Sequence, residues 1–410
     1  MEDAIIMMKI KINMNRVSPI TITLAILAAC GVAQSVRAAD EPNTQPAPAQ
    51  SFAQAVDLTA LGAVAVHSQG RVKSLDSFTR SAMQLVSGSR NLDNQSTTFT
   101  YFDMMFRPDA YKGRDSIFFK NKLMRADIIK ALRQANPPIA DFDAAREERF
   151  MTSGLLSAEL VNRPEVQDLL ENRSANMLLT AKLVEAIHAA LNVMNPNALR
   201  FGLALVPPQP RADSGGGFDE PWMSLDELEM RPDIPQVDTA QREQLLKHWR
   251  ALHEAWTKQD APAVNAAANQ LAAILPTINP EIYPEAKRLQ WENWYFRSYN
   301  MTWVWIFYAL AMIPLLLSIV FRWKPAYWLG LVMFLGALGV HTFAVGLRWY
   351  VSQRWPNSNM FEAITTAAWM GGCIALLIEI LFARRSPMRG LFALGSCVAS
   401  MTAMMAVKMF

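Results

Sequence analysis

The chain has 410 residues, 51% of them hydrophobic and only 18% charged, against roughly 25% charged in an average soluble domain. That composition disfavours a purely cytosolic protein, and a formal net charge of +3 from 39 basic and 36 acidic residues gives no argument for a nucleic-acid partner. The three cysteines, Cys30, Cys373 and Cys397, lie in strongly apolar stretches, which excludes a disulfide framework, a CxxC redox pair and a cysteine-based zinc site.

Residues 1–39 read as a signal peptide or N-terminal anchor. Basic Lys9, Lys11 and Arg16 precede an apolar stretch from Ile20 to about Ala33 and a small-residue exit at Val36-Arg37-Ala38. Within it, Leu27-Ala28-Ala29-Cys30 also resembles a lipoprotein box, in which Cys30 would be lipidated after cleavage. Residues 40–52 form a Pro-rich polar linker with nothing to bury.

Residues 53–300 read as an α-rich exported domain. Alternation in Ala63-Val64-Ala65-Val66, a turn at Ser68-Gln69-Gly70, then Val72 and Leu75 predict a short β excursion, with His67 in the turn. Helices are expected over Ser77–Val86, stopped by Gly88, and over Met124–Gln134, Ser157–Leu160, Val166–Val193 and Thr239–Trp256, where apolar residues recur three and four apart. The prolines and glycines between Pro207 and Phe218 predict a loop.

Residues 301–410 change character. Thr302–Phe321, Ala326–Leu347, Ala363–Ala383 and Gly390–Val407 are four apolar runs near the ~20 residues a helix needs to cross a bilayer. The expected fold class is therefore mainly α, an exported α-rich domain followed by a membrane domain of about four helical spans. With the globular part outside, Arg322 and Lys324, then Arg384, Arg385 and Arg389, fall in cytoplasmic hairpins, while residues 348–359 form an external loop. Trp303, Trp305, Trp323, Tyr327, Trp328, Trp349, Tyr350 and Trp355 collect at the span ends, as an interfacial belt does. Glu379 falls near the cytoplasmic headgroups, within reach of water.

The external loop holds the candidate site. Arg348 and Arg354, aromatic Trp349, Tyr350 and Trp355, Pro356, Asn359 and Glu362 suit a flat apolar ligand carrying carboxylates, since rings stack on its face and guanidinium groups pair with its acidic edge. A purely structural account is also open: Asn359 caps the third span and Glu362 completes a capping box. His341, inside the second span, is an ionisable group at a costly depth and a candidate ligand for haem iron, with hydrogen bonding inside the bundle as the competing role. For His67, His188, His248 and His253 structural roles are expected.

The string R-W-Y-x-S-x-R-x-P-x-S-N-M-x-E over residues 348–362 resembles the start of the CcsA/ResC-type cytochrome c assembly proteins of system II. Residues 66–78, Val66-His67-Ser68-Gln69-Gly70-Arg71-Val72-Lys73-Ser74-Leu75-Asp76-Ser77-Phe78, are similar to the motif G-R-x-K-P-L-D-[ST]-[FY] ahead of the core in extended members, with Ser74 where the family has proline. On the residues alone, Gly70 and Asp76 equally describe a glycine turn followed by a helix cap. Residues Glu292 to Asn300 are similar to the family's E-x-x-Y-N segment before the first span. The resemblance implies a cytochrome c biogenesis subunit that handles haem b at the outer face of the bacterial cytoplasmic membrane, as part of a haem lyase complex. Its implied partners are apocytochrome c, a ResB/CcsB-type membrane protein and the remainder of its own CcsA-type core. The family's external W-G-x-x-W-x-W-D loop does not occur in the sequence, so the chain is expected to be the N-terminal part of a longer or split protein. A membrane scaffold without cofactor, whose exported domain docks a partner, is the alternative.

Overall fold

The computed structural model describes residues 51–88, 91–92, 94–135, 137, 139, 141–176, 178–209, 222–231, 237–297, 303–353, 359–383, 386 and 388–409. The expected signal or anchor, nearly all of the linker, Tyr299-Asn300, Arg354, Trp355 and Pro356 lie outside these residues.

The β excursion is a hairpin, β1 (Ala65–Ser68) against β2 (Arg71–Ser74). Gln69 and Gly70 between them have φ of 54° and 69°, the paired positive values that a two-residue turn needs to match strand twist. His67 is a strand residue stacked on Trp222, not a turn residue. Helix α1 (Leu75–Ser87) follows at once, and its cap is Ser74, whose Oγ accepts the Ser77 N–H at 3.2 Å; Asp76 instead pairs with Arg80 one turn on. Gly88 stops α1 as expected, at φ 60°, and a Cβ there would strike the Phe118 ring.

The next elements build two hydrophobic cores. In the first, α2 (Thr97–Phe106) packs with α8 (Thr239–Thr257) and α9 (Ala261–Ile274) around Phe102, Trp249 and Trp256. Its buried anchor is Asp103, whose carboxylate accepts from Trp256 Nε1 at 2.8 Å, from Arg107 at 2.7 and 2.9 Å and from Tyr111 at 2.9 Å. The second core joins β3 (Asp115–Phe118), α3 (Lys122–Arg133), α4 (Ala144–Ser153), β4 (Leu155–Ser157), α5 (Pro164–Asn176) and α6 (Leu178–Met194) around Ile128, Phe150 and Ile187. The helix expected from Ser157 is a strand end followed by a single turn, because Ser157 pairs with Asp115 before capping Ala158–Val161. After α7 (Pro196–Gly202), β5 (Ala204–Val206) and β6 (Met223–Ser224) complete an antiparallel sheet in the order β2-β1-β5-β6.

The C-terminal apolar runs form α11 (Val304–Val320), α12 (Lys324–Ser352), α13 (Met360–Leu381) and α14 (Leu391–Met409), preceded by α10 (Ala286–Arg297). Sequence neighbours pack together and α14 returns to α11, closing a four-helix bundle around Tyr308, Phe334 and Cys397. Two of the four, α12 and α13, are long and apolar enough to cross a membrane; α11 and the apolar part of α14 are shorter. Large apolar side chains such as Ile313, Val320, Val332, Ile374 and Leu377 point outward, which supports membrane association.

Two expectations for this region change. Tyr327 is 3% exposed and belongs to the bundle interior, not to an interfacial belt, whereas Trp303, Trp323, Trp328 and Tyr350 are exposed at helix ends. Glu379 is fully buried and cannot reach water: the chain turns back after α13 and the Gly390 N–H donates to Glu379 Oε1 at 2.6 Å.

Candidate functional site

Helix α10 is aromatic and charged in alternation, with Trp291, Trp294, Tyr295 and Phe296 around Arg288 and Glu292. This composition lets one helix face both a sheet and a bundle end. Toward the hairpin, Glu292 is 2% exposed; its Oε2 accepts the Ser74 N–H at 3.0 Å and the Ser74 hydroxyl at 2.8 Å, and its Oε1 accepts the Ser77 hydroxyl at 2.8 Å. A proline at Ser74 would have neither donor, so the departure from the family string is chemically used here. Leu289 packs on Ala65 and Val72 of the same hairpin.

Toward the bundle, buried Arg288 donates from Nε to the Val351 carbonyl at 3.3 Å and from Nη1 to Gln353 Oε1 at 3.0 Å. Burial holds its guanidinium below the usual arginine range. Gln353, at φ 45°, is the left-handed cap of α12. The segment expected as an external loop from Arg348 is therefore the last turn of α12, and only residues beyond Ser352 leave the helix.

This extension decides the setting of Arg348. It is 9% exposed, and its Nε and Nη2 both donate to Glu362 Oε1, at 3.0 and 2.8 Å. The rings of Tyr295, Phe296 and Phe361 stand 5.3–5.9 Å from its guanidinium carbon. The capping account is half right: Asn359 Oδ1 accepts the Glu362 N–H at 2.8 Å, while the Glu362 side chain is engaged by Arg348. Trp349 is 38% exposed and meets Trp369 edge to face at 6.0 Å.

His341 lies two turns below Arg348 on α12, so the two share a helix face. It is fully buried; Nδ1 is 3.0 Å from the Tyr308 hydroxyl, and Nε2 makes no hydrogen bond among the described residues. His341, Arg348, Trp349 and Glu362 thus all line one cavity. Its volume is about 30 Å³, space for about one water, so a porphyrin does not fit between these helices in this arrangement. Among the described residues no group of three or more His, Cys, Asp or Glu side chains could hold a metal ion. His188 is half-buried on α6, and His253 stacks on Phe106 at 4.7 Å.

Sequence reasoning missed the partners: Glu292 for Ser74 and Ser77, Arg288 for the α12 end, and Tyr308 for His341. For Tyr308 a signal existed, a hydroxyl placed inside an otherwise uncharged apolar run. It also passed over Lys73, which is 4% exposed. Burial, reinforced by Arg71 and Arg348 and opposed by Glu292, pulls the Lys73 ammonium down to about 8. Its charge therefore costs stability while both states are protonated. Lys73→Met is expected to stabilise the chain by about 1–3 kcal/mol at pH 7. Between pH 8 and about 10.5 the unfolded chain holds the proton that the folded chain has lost, so the wild type gains and the difference shrinks. Thermal unfolding of both proteins in detergent across pH 6–10.5 checks the sign and the window.

The chain matches no protein-family model and no curated protein.

Proposed function

We propose that this chain is a cytochrome c biogenesis subunit of the CcsA/ResC type, which handles haem b as cargo at the outer face of the bacterial cytoplasmic membrane for attachment to apocytochrome c. The observation that carries the reading is the convergence of the three strings that resemble the family. The hairpin string meets Glu292 of the second, and the helix bearing Glu292 packs on Arg348 of the third.

In this reading four helices span the membrane, the globular part lies outside, and the α10 side of the bundle faces the external medium. Haem is held against the outer end of α12 and α13, with Trp349 as the exposed ring, together with a ResB/CcsB-type partner and the rest of a CcsA-type core; His341, fully buried on Tyr308, would reach the iron only if the helices part. Thioether formation uses the apocytochrome thiols and the haem vinyls, so the chain's contribution is orientation rather than bond chemistry. The small cavity favours the scaffold reading as the second possibility, in which the exported domain docks a partner and no haem is touched.

Deleting the gene is expected to abolish haem-stained holocytochrome c while apocytochrome c is still made. Normal holocytochrome in the deletion strain refutes the reading and leaves the scaffold. Topology has its own test. Lys287 is exposed on α10, and Met388 is 52% exposed beside Arg389 and Tyr327 at the other end of the bundle. In intact spheroplasts an impermeant maleimide should label Lys287→Cys and spare Met388→Cys. Labelling of the second site alone would invert the orientation.

A further inference from the structure

The hairpin string holds a residue that haem handling does not employ. Lys73 is buried, and among the described residues its ammonium makes no hydrogen bond or ion pair. The carboxylate whose charge reaches it, Glu292, is engaged by Ser74 and Ser77, and the other charges acting on it, Arg71 and Arg348, are cations. A cation so placed has no anion in direct contact.

Beside it lies a cleft of about 340 Å³, ten times the volume of the His341 cavity and within the range of small-molecule sites, about 300–1,000 Å³. Lys73 forms part of its wall. Phe78 and Leu199 supply apolar surface, the ring of Tyr101 adds to it while its hydroxyl donates to the Leu199 carbonyl at 2.7 Å, and Ser81 and Asn192 give polar edges. An apolar pocket with one buried charge and few polar groups is the usual design for an amphipathic ligand of opposite charge.

We propose that this cleft is a binding site for a small aromatic or aliphatic monocarboxylate, its carboxylate on the Lys73 ammonium and its apolar body between Phe78, Tyr101 and Leu199. The site does not depend on the haem-handling reading, and the cleft is too small for a porphyrin. At neutral pH Lys73 is mostly protonated, and a bound carboxylate favours its charged form.

The test uses the full chain in nanodiscs and titration calorimetry at pH 7, with 4-phenylbutanoate and its neutral isostere 4-phenylbutanamide as probes. The acid should bind saturably and at least tenfold more tightly than the amide. Lys73→Met should weaken the acid tenfold or more and leave the amide within twofold, while Lys73→Arg keeps most of the preference. Gly202 lines the cleft, and a Cβ there meets nothing within 4 Å; Gly202→Phe should weaken both probes together. Equal binding of acid and amide to the wild-type chain, no saturation by either, or undiminished acid binding by a folded Lys73→Met overturns the proposal. The wild-type comparison decides even where a variant fails to fold.

Discussion

Arg348→Gln is expected to destabilise the chain by about 3–5 kcal/mol and to deplete it from the membrane, because it leaves the Glu362 carboxylate buried without either of its two guanidinium hydrogen bonds. An arginine in an exposed loop would give a mild effect, of about 1 kcal/mol or less; burial at 9% exposure separates the cases. Glu362→Gln alone should cost less than Arg348→Gln, since the amide oxygen can still accept from Arg348, whose guanidinium also rests on the Tyr295, Phe296 and Phe361 rings. Removing both charges together, as Arg348→Met with Glu362→Leu, should recover most of the loss, since a buried pair contributes little over an apolar replacement. Thermal unfolding of the solubilised variants, with immunoblots of membranes, reads all three. A single Arg348→Gln variant that melts with the wild type would show that the pair does not hold the α12–α13 junction.

Glu292→Ala is expected to cost at least about 3 kcal/mol. It removes an acceptor that takes three hydrogen bonds from Ser74 and Ser77, and it removes the negative charge that offsets Lys73 and Arg288. The loss should be local in its first effect: amide exchange at Ser74 and Ser77 should accelerate before that of Trp256 and its neighbours in the first core, which rest on Asp103 instead. Glu292→Gln keeps one acceptor oxygen and should fall between. Adding Lys73→Met to Glu292→Ala should recover part of the deficit, since it withdraws the cation left uncompensated. Uniform acceleration across the domain in Glu292→Ala would mean that α10 is not the specific tie between hairpin and bundle.

The elements that were legible in the sequence carry their signals within a few residues. The Gln69-Gly70 turn, the Gly88 stop and the apolar runs behind α11 to α14 each rest on composition in a short window, and each is found in the structure. The pairing of β5 with β1 was not legible, because it joins His67 to Ala204 across the whole second core. The same holds within the site. Residue chemistry singled out Arg348, Glu362 and His341, and in the structure the three line one cavity. It did not reveal that Arg348 and Glu362 occupy each other, because helix α12 outlasts its apolar run by a full turn and that extension is held by Arg288, some sixty positions earlier. Glu379 misled for a related reason: closeness to the end of a run suggested water, but the chain returns over it with a backbone N–H.

The tie between hairpin and α10 also sets a schedule. Ser74 and Glu292 are 218 positions apart. At about 5–20 residues per second, the ribosome delivers the carboxylate roughly 10–40 s after the hairpin it locks. Until then the Ser74 and Ser77 hydroxyls can bond only to water or to transient neighbours, and the hairpin is open to whatever handles nascent chains. The carboxylate emerges just ahead of α11, so closure of the water-exposed part coincides with the arrival of the first helix of the apolar bundle. A chain stalled earlier would present β2 as an unsecured edge, the form most exposed to proteases and to pairing with other strands.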